Sequence, residues 1–476
     1  MRRPLASLLL TLTLLSISAC SFAPRDVRPD LPTDSTYPQE YVGDSSAGAQ
    51  PIKLHWRDFF ADPRLEAIVN TALERNRDLV ISVAQIEETR GLYRIQRADQ
   101  LPSVGVSGDA TRTRAGPQSV PITSPTTIPS GSELTYDRYS LGLGVASFEL
   151  DFWGRVRNLT TAARSEYLAT VEAARAFRLS LIRDVATAYL TSLEARERLE
   201  LAEATVESRR EGLRIAKRRL DAGVTSALDY SQTETLLTQA ETELAALRLS
   251  KAQNDNLLVA LIGGPIEAGL PPPVPLAQQT RVEVLAAGIP SDLLTNRPDI
   301  LAAEQRLRAA RANIGAARAA FLPAISLTGT YGYASTELSE LVGEDGLTWS
   351  YGPSISLPIF DFGGRRANLT VAQARENIAI ADYERTIQNS FREVADALAG
   401  RRYLSERVAA QERATNAQRR LAELARTRYR EGVARYIEVL DAERSLFSAE
   451  QALLQDRSAE VANLVALYVA LGGGQL

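Results

Sequence analysis

Residue types that usually carry enzyme chemistry are almost absent from this chain of 476 residues. It contains one cysteine, one histidine and one methionine. A Ser/His/Asp triad, a Cys/His pair or a zinc site rich in His or Cys would each have to be built around His55 or Cys20. A single cysteine also excludes an internal disulfide framework. We therefore expect no enzyme of these classes and no bound cofactor or metal.

Positive and negative charges are nearly balanced. The 54 Lys and Arg residues and 58 Asp and Glu residues give a net charge of −4 and are spread through the chain. Nucleic acid is therefore not an expected partner. The chain also lacks a Gly-rich phosphate loop followed by Lys-Ser or Lys-Thr, so it carries no signature for nucleotide hydrolysis. A glycosidase would need paired carboxylates roughly 5 to 10 Å apart across a cleft, whereas the acidic residues here are dispersed over predicted helices.

The N-terminus has the three parts of a secretory signal. Arg2-Arg3 precede an apolar run from Leu5 to Leu15, which is followed by small residues up to Cys20. The run is shorter than the roughly 20 residues of a transmembrane helix. Its ending is similar to a bacterial lipobox, so we expect removal of residues 1–19 and acylation of Cys20. The alternative is an ordinary signal peptide that leaves Cys20 as a thiol.

Long apolar runs are also missing from the rest of the chain. The longest candidate, Val461 to Leu471, contains Asn463 and is too short to cross a bilayer. If the mature protein spans a membrane, it must do so with strands.

An internal repeat determines the domain organisation. The segment Asp151–Thr160 recurs as Asp361–Thr370, and Arg219–Val224 recurs as Arg428–Val433. We therefore divide the chain as follows: signal peptide 1–19, N-terminal extended segment 20–61, repeat unit one 62–264, Pro-rich linker 265–290, and repeat unit two 291–474.

Each repeat unit contains one hairpin with alternating apolar and small polar residues. The hairpins are predicted at about 102–150 and about 323–362, and an example is the run Ala324 to Tyr333. Strands of about ten residues with one apolar and one polar face are typical of a transmembrane barrel with a wet lumen. An ordinary β-sandwich would explain the alternation, but not why the rest of the chain is predicted to be helical.

Outside the hairpins, each repeat unit is predicted to form long helices that pack on one another. Residues 155–220 contain no proline, and Leu199, Val206, Leu213 and Leu220 follow a heptad spacing. At 1.5 Å per residue, 155–220 and 365–429 would each span close to 100 Å. Shorter helices are predicted over 63–100 and 226–262. A layer in which each long helix runs antiparallel to two shorter ones is the simplest arrangement.

Four strands do not close a barrel, and an open edge is not tolerated in lipid. Other copies of the chain must therefore complete the sheet. Twelve or sixteen strands would leave a channel, and strand spacing alone does not choose between three and four copies.

Three segments resemble the signature of outer-membrane efflux proteins of the TolC/OprM type, in the lipoprotein (NodT-like) branch. They are Gly288–Leu294, Asn296–Ile300 and Ala316–Leu327. The resemblance implies a mostly α fold with transmembrane β structure. In that fold the internally duplicated chain contributes four strands to a trimeric 12-stranded β-barrel and long helices to a periplasmic α-helical tunnel. It further implies a homotrimer in the outer membrane that docks to a periplasmic adaptor (membrane fusion) protein and an inner-membrane pump of the RND type. Passive efflux of small molecules is then the expected function, and the duct of a type I protein-secretion system is the alternative.

A channel of this kind needs a gate, and the repeated helical turns farthest from the strands are the place to expect it. Glycines in both turns can adopt the positive φ that ends a helix. Adaptor docking is predicted at these turns, through Arg219, Gly223, Arg428 and Gly432. The resemblance implies that the closed aperture and its bonds involve Ile437, Asp441, Asp229, Tyr429 and Arg444.

Overall fold

A computed structural model describes residues 22–29, 32–34, 36–42, 54–115, 134–279, 285–286 and 290–473. The signal peptide and Cys20 lie outside the described residues. Within them, no helix is both long and apolar enough to cross a membrane.

Helices dominate the described chain. Four precede the first strand: α1 Gln39–Val42, α2 Trp56–Phe59, α3 Pro63–Arg75 and α4 Arg77–Ala98. After the hairpin of β1 Gly105–Ala115 and β2 Leu134–Glu149 come α5 Arg155–Asp221, α6 Ala227–Ile262, α7 Pro290–Asn296 and α8 Pro298–Ala319. The second hairpin, β3 Ala324–Ser335 and β4 Leu347–Ser356, is followed by α9 Gly364–Arg430 and α10 Tyr436–Ala470. The expected fold class, a duplicated helical chain that contributes four strands, is confirmed.

Two compact units divide the chain, and they cut across the sequence repeat. The strand unit comprises the described residues of Met1–Arg28, Glu87–Leu168 and Gln305–Ala381. The helical unit comprises those of Pro29–Ile86, Ala169–Glu304 and Asp382–Leu476. Each unit therefore combines corresponding parts of both repeat copies.

The strand unit is built on one antiparallel sheet with the order β1-β2-β3-β4. Its central pair, β2 and β3, joins the two repeat copies and includes the facing pair Gly142 and Gly332. A Cβ on Gly332 would lie 2.4 Å from the Gly142 Cα, so glycine is required for this approach. On the polar face, the hydroxyl groups of Thr330 and Ser350 are 2.7 Å apart. The strand β4 ends at Ser356, before the predicted hairpin limit at about 362.

The predicted helix over 63–100 is wrong in one respect, because it is broken at Asn76. Asn76 is buried, and its side-chain amide donates to the Leu261 carbonyl at 2.8 Å. Its side-chain oxygen accepts from the Leu79 backbone N–H at 2.8 Å. One residue therefore ends α3 and caps α4, an arrangement that depends on a contact distant in sequence.

The core of the helical unit is partly aromatic. Trp56, Phe59 and Tyr468 are almost fully buried, and the Phe59 and Tyr468 rings stack with centroids 4.6 Å apart. The segment 20–61, expected to be extended, thus contains the one-turn helices α1 and α2, and α2 supplies two of these rings.

The Pro-rich linker is held against the helical unit through a buried carboxylate. Asp62 is 1% exposed and accepts from the Tyr189 hydroxyl at 2.5 Å. The linker's Val274 N–H and Gln279 Nε2 also donate to Asp62, each at 3.1 Å. Burial and the hydrogen bond to Asp62 raise the pKa of Tyr189, so its hydroxyl stays protonated and donates.

Candidate functional site

The two turns that were predicted to dock an adaptor have the same backbone geometry. Gly223 has a φ of 73° and Gly432 has a φ of 75°, both in the left-handed region. Each turn is closed by a hydrogen bond that spans five residues, from Val224 N to the Arg219 carbonyl at 2.8 Å and from Val433 N to the Arg428 carbonyl at 2.9 Å. This is the Schellman arrangement, which requires glycine at the left-handed position. It leaves both valines exposed, at 64% and 65%.

Asp229 lies in the first turn of α6, where it closes a capping box with Ser226. Its carboxylate accepts from the hydroxyl groups of Thr225 at 2.8 Å and Ser226 at 3.0 Å. The Asp229 backbone N–H donates to the Ser226 hydroxyl in return, at 3.2 Å. The hydrogen bonds from Thr225 and Ser226 lower the pKa of Asp229 from its ordinary value of 3.8. Asp229 therefore stays ionised and stabilises the start of the helix.

We expect Asp229→Ala to lower the free energy of unfolding by about 1 kcal/mol, because it removes half of the capping box. The pKa is lower in the folded state, so this stabilisation is complete above a pH of about 4 and disappears as the pH falls through the lowered pKa. Thermal unfolding at pH 7 and at pH 3 measures both effects. Glu234→Ala, in the same helix, serves as a control. If Asp229→Ala lowered the free energy of unfolding equally at both pH values, the capping role of the ionised carboxylate would be contradicted.

In repeat unit two, the helix that follows the turn, α10, starts differently. Glu438, at the position that matches Asp229, accepts from the Arg435 backbone N–H at 3.4 Å. It also forms an ion pair with Arg428 at 3.3 Å, and both side chains are more than 40% exposed. Arg428, a predicted docking residue, is therefore fastened to the following helix by a solvent-exposed pair.

Arg219 and Tyr429 lie together and join the ends of the two long helices. The Arg219 guanidinium donates to the Tyr429 hydroxyl, and its central carbon is 5.4 Å from the centroid of the same ring. Tyr429 in turn contacts Tyr436 of α10, with ring centroids 5.0 Å apart. Burial and Glu443 raise the pKa of Tyr436 to about 12. Two residues predicted for separate roles, docking and the gate, thus form one contact.

The remaining predicted gate residues lie on α10. The Asp441 carboxylate pairs with Arg444 of the same helix at 3.1 Å, and both side chains are 59% exposed. Ile437 lies one turn earlier and is half-buried. Among the described residues, no hydrogen bond or ion pair joins Asp229 to Asp441.

Sequence analysis missed a second set of contacts, which join helices of repeat unit one to helices of repeat unit two within the chain. Gly212 of α5 faces Tyr436, whose hydroxyl would lie 3.1 Å from a Cβ at that position. Arg209, which is 8% exposed, donates to the Leu236 carbonyl at 2.8 Å and lies 5.4 Å from the Phe447 ring centroid. Burial lowers the pKa of Arg209. Gly212 is the only glycine of α5, and this could have drawn attention to the contact.

Arg198 provides a further link between repeat units one and two. It donates to the Gln451 side chain of α10 and forms ion pairs with Glu194 at 3.0 Å and Glu243 at 3.2 Å. Together with the Arg209 and Arg219 contacts, three arginines along α5 hold side chains of α9 and α10. Any movement of α5 relative to α9 and α10 would have to break these three contacts.

The contacts that Arg209 and Gly212 make border an open groove of about 570 Å³ in the helical unit. Arg209, Gly212, Tyr429, Tyr436 and Glu443 are among its lining residues. Glu443 forms an ion pair with Arg426 at 2.8 Å on the same surface. Within the part of the chain that the structure describes, no three His, Cys, Asp or Glu side chains could hold a metal ion together.

Comparison with known proteins identifies both copies of the repeat. A family model described as "Outer membrane efflux protein" matches residues 68–264 and 289–473. The solvent efflux pump outer membrane protein SrpC of Pseudomonas putida is 42% identical over 464 residues, which cover 97% of each chain. The outer membrane protein OprJ of Pseudomonas aeruginosa is 40% identical over 476 residues, covering 100% of this chain and 97% of OprJ.

A solved channel structure shows the same fold. The open state of the MtrE outer membrane channel of Neisseria gonorrhoeae superposes with a TM-score of 0.86 at 38% identity. The match covers 96% of this chain and 99% of MtrE. The family match, the whole-length relatives and the channel structure agree with the resemblance read from the sequence, including an outer-membrane location and a role in efflux. The chain belongs to the outer membrane efflux protein family.

Proposed function

We propose that three copies of this chain form a passive outer-membrane channel that conducts toxic small molecules out of the cell. The observation that carries the proposal is the sheet, in which the outer strands β1 and β4 each have one partner among the described residues. Unpaired backbone groups cost several kcal/mol each in lipid, so β1 and β4 must pair with strands of other copies of the chain. The family resemblance makes the number of copies three, which gives a closed barrel of twelve strands. The polar face carried by Thr330 and Ser350 would line its lumen.

Names of the relatives support efflux of small apolar or drug-like compounds. SrpC is named for solvent efflux, another relative for toluene efflux and a third for antibiotic efflux. Because the chain has no nucleotide-binding motif, energy would come from an inner-membrane pump of the RND type through a periplasmic adaptor. The exposed Val224 and Val433 beside Gly223 and Gly432 offer the adaptor two matching apolar contacts.

The gate proposal places Ile437 and Asp441 of three copies around one axis. Asp229 and Tyr429 lie at the neighbouring helix ends, and the Arg219 contact with Tyr429 would resist opening. Arg444 pairs with Asp441 and partly offsets its charge. The gate would thereby repel anions and attract cations.

We expect the purified protein to have about three times the mass of one chain in native mass measurement and to conduct ions in planar bilayers. In a cell that lacks its own outer-membrane efflux channel, it should restore resistance to solvents and antibiotics when its adaptor and pump are present. A stable monomer would contradict the closure argument. Restored export of a secreted protein without restored resistance would favour the type I secretion duct.

We also expect Cys20 to carry the lipid anchor, since the lipobox-like ending places it first in the mature chain. Cys20→Ala should abolish labelling of the mature protein by radioactive fatty acid. Ser21→Ala changes the next residue and should leave the labelling intact. The strands span the membrane, so the unlabelled variant should still insert. Undiminished labelling of Cys20→Ala would refute the assignment.

A further inference from the structure

A buried arginine of the helical unit lacks a carboxylate partner. Arg209 is 8% exposed, and its one hydrogen bond within the described chain is the donation to the Leu236 carbonyl at 2.8 Å. No carboxylate of the described residues forms an ion pair with it. A guanidinium carries five N–H groups and keeps its charge in proteins. Most of the donors of Arg209 therefore have no protein acceptor.

Other buried arginines of this chain are treated differently. Arg297 is 9% exposed and pairs with Asp299 at 2.6 Å and with Glu393 at 2.8 Å. Arg311 is 8% exposed and also pairs with two carboxylates, at 2.9 and 3.1 Å. Burial of a charge costs free energy, which such pairs help to recover. Arg209 has the burial without the pair, so an anion from outside the chain would complete its environment.

Arg209 lines the open groove of about 570 Å³, which is within the size range of small-molecule sites. The Phe447 ring lies against the guanidinium, with its centroid 5.4 Å from the central carbon. This contact and the Leu236 hydrogen bond hold the cation in place before any ligand arrives. The groove therefore has a fixed positive group and room for a small molecule beside it.

The other charges of the groove are paired or exposed. Three arginines and three glutamates line it: Arg209, Arg426, Arg430, Glu211, Glu423 and Glu443. Glu443 pairs with Arg426 at 2.8 Å, and Glu211 pairs with Arg214 outside the lining at 2.6 Å. The third glutamate and Arg430 are exposed, so water screens them. The buried arginine is the lining charge that still lacks a counter-ion.

Apolar and aromatic side chains form much of the remaining lining. They are Ile215, Leu236, Tyr429, Tyr436, Val439 and Leu440. Ile215 is 48% exposed, so it presents apolar surface that a ligand could cover. One fixed cation beside an apolar wall suits a molecule with a hydrocarbon body and a single anionic group.

We propose that this groove binds small amphipathic carboxylates, with the carboxylate on Arg209 and the hydrocarbon body against the apolar wall. The site is additional to the proposed conduction through the channel and does not depend on it. A bound molecule would contact α5 and α10 at once. Because it binds the folded protein, it should also raise the heat stability of the helical unit.

Fluorine NMR of the purified channel in nanodiscs tests the site with 4-(trifluoromethyl)benzoate as the probe. The uncharged 4-(trifluoromethyl)benzamide has nearly the same shape, and empty nanodiscs correct for binding to lipid. We expect the benzoate to bind about tenfold or more tightly than the benzamide, because only the benzoate offers a charged acceptor. Arg209→Met should abolish this difference while it leaves binding of the benzamide unchanged.

Arg210→Met is the matched control, since Arg210 is the next residue and is not part of the groove lining. Arg210 is 56% exposed and pairs with Glu207 and Glu241, and its loss should leave both affinities unchanged. Ile215→Trp fills the groove from an exposed position and should weaken both ligands. The mass and heat stability of each variant show whether it folds.

Three results would overturn the site. They are equal affinity of the unaltered protein for benzoate and benzamide, an equal loss of benzoate binding in Arg209→Met and Arg210→Met, and undiminished binding in Ile215→Trp. If Arg209→Met does not fold, the comparison of the two ligands and Ile215→Trp still decide the proposal.

Discussion

Asp441→Ala is expected to raise the single-channel conductance of the trimer and to weaken its block by divalent cations. Three carboxylates around a narrow axis would bind cations and repel anions, and alanine removes both the charge and the bulk. The pair between Asp441 and Arg444 is 59% exposed on both sides, so its loss should cost little stability. Planar-bilayer recordings with and without a divalent cation measure both quantities.

Glu203→Ala is a closely matched control for this change. Glu203 is also an exposed carboxylate in an ion pair, with Arg248 at 3.0 Å. The position in unit one that matches Asp441 is Gln232, so the helix start does not require an acid there. Conductance and cation block identical to those of the unaltered protein in Asp441→Ala would remove Asp441 from the gate and leave it a surface charge.

Asp62→Ala should destabilise the helical unit by about 3 kcal/mol, the largest stability change that we expect from one substitution. Alanine would leave the Tyr189 hydroxyl, the Val274 N–H and the Gln279 amide without their shared acceptor in a buried site. The Pro-rich linker would lose its attachment as well. Thermal unfolding should show a midpoint lower by roughly 9 °C.

Asp58→Ala is the control, because Asp58 is exposed and lies four residues earlier in the chain, in α2. Asp62→Asn should fall between the two, since it keeps one acceptor oxygen but turns an amide N–H group toward several donors. If the midpoint of Asp62→Ala matched that of Asp58→Ala, the buried carboxylate would have no role in holding the linker.

Local patterns predicted the elements that depend on neighbouring residues. Heptad spacing and the absence of proline placed α5 within one residue of its end at Asp221. Alternation of apolar and small residues placed the strands, and the glycines of the two repeated turns indicated their positive φ. In each case the determining interactions are backbone hydrogen bonds or side chains within a few residues.

Contacts between distant residues were not predicted. The break at Asn76 depends on the Leu261 carbonyl, and the buried Arg209 depends on Leu236 and Phe447. Asp26, near the first described residues, accepts from Arg308 and Arg311 of α8. Neither an isolated asparagine nor an isolated arginine in a helical sequence differs visibly from its solvated neighbours, because its burial is decided by another part of the chain.

The sequence by itself determined the duplication, the long helices, the four strands and the two glycine turns, because these follow from periodicity and local backbone chemistry. Only the tertiary structure decided that the compact units combine both copies, that Asp62 holds the linker, and that Arg219 meets Tyr429. The pairing of β2 with β3 and the packing of α5 against α9 and α10 bring together residues that are far apart in the chain. Such pairings are set by complementary surfaces, which no single segment contains.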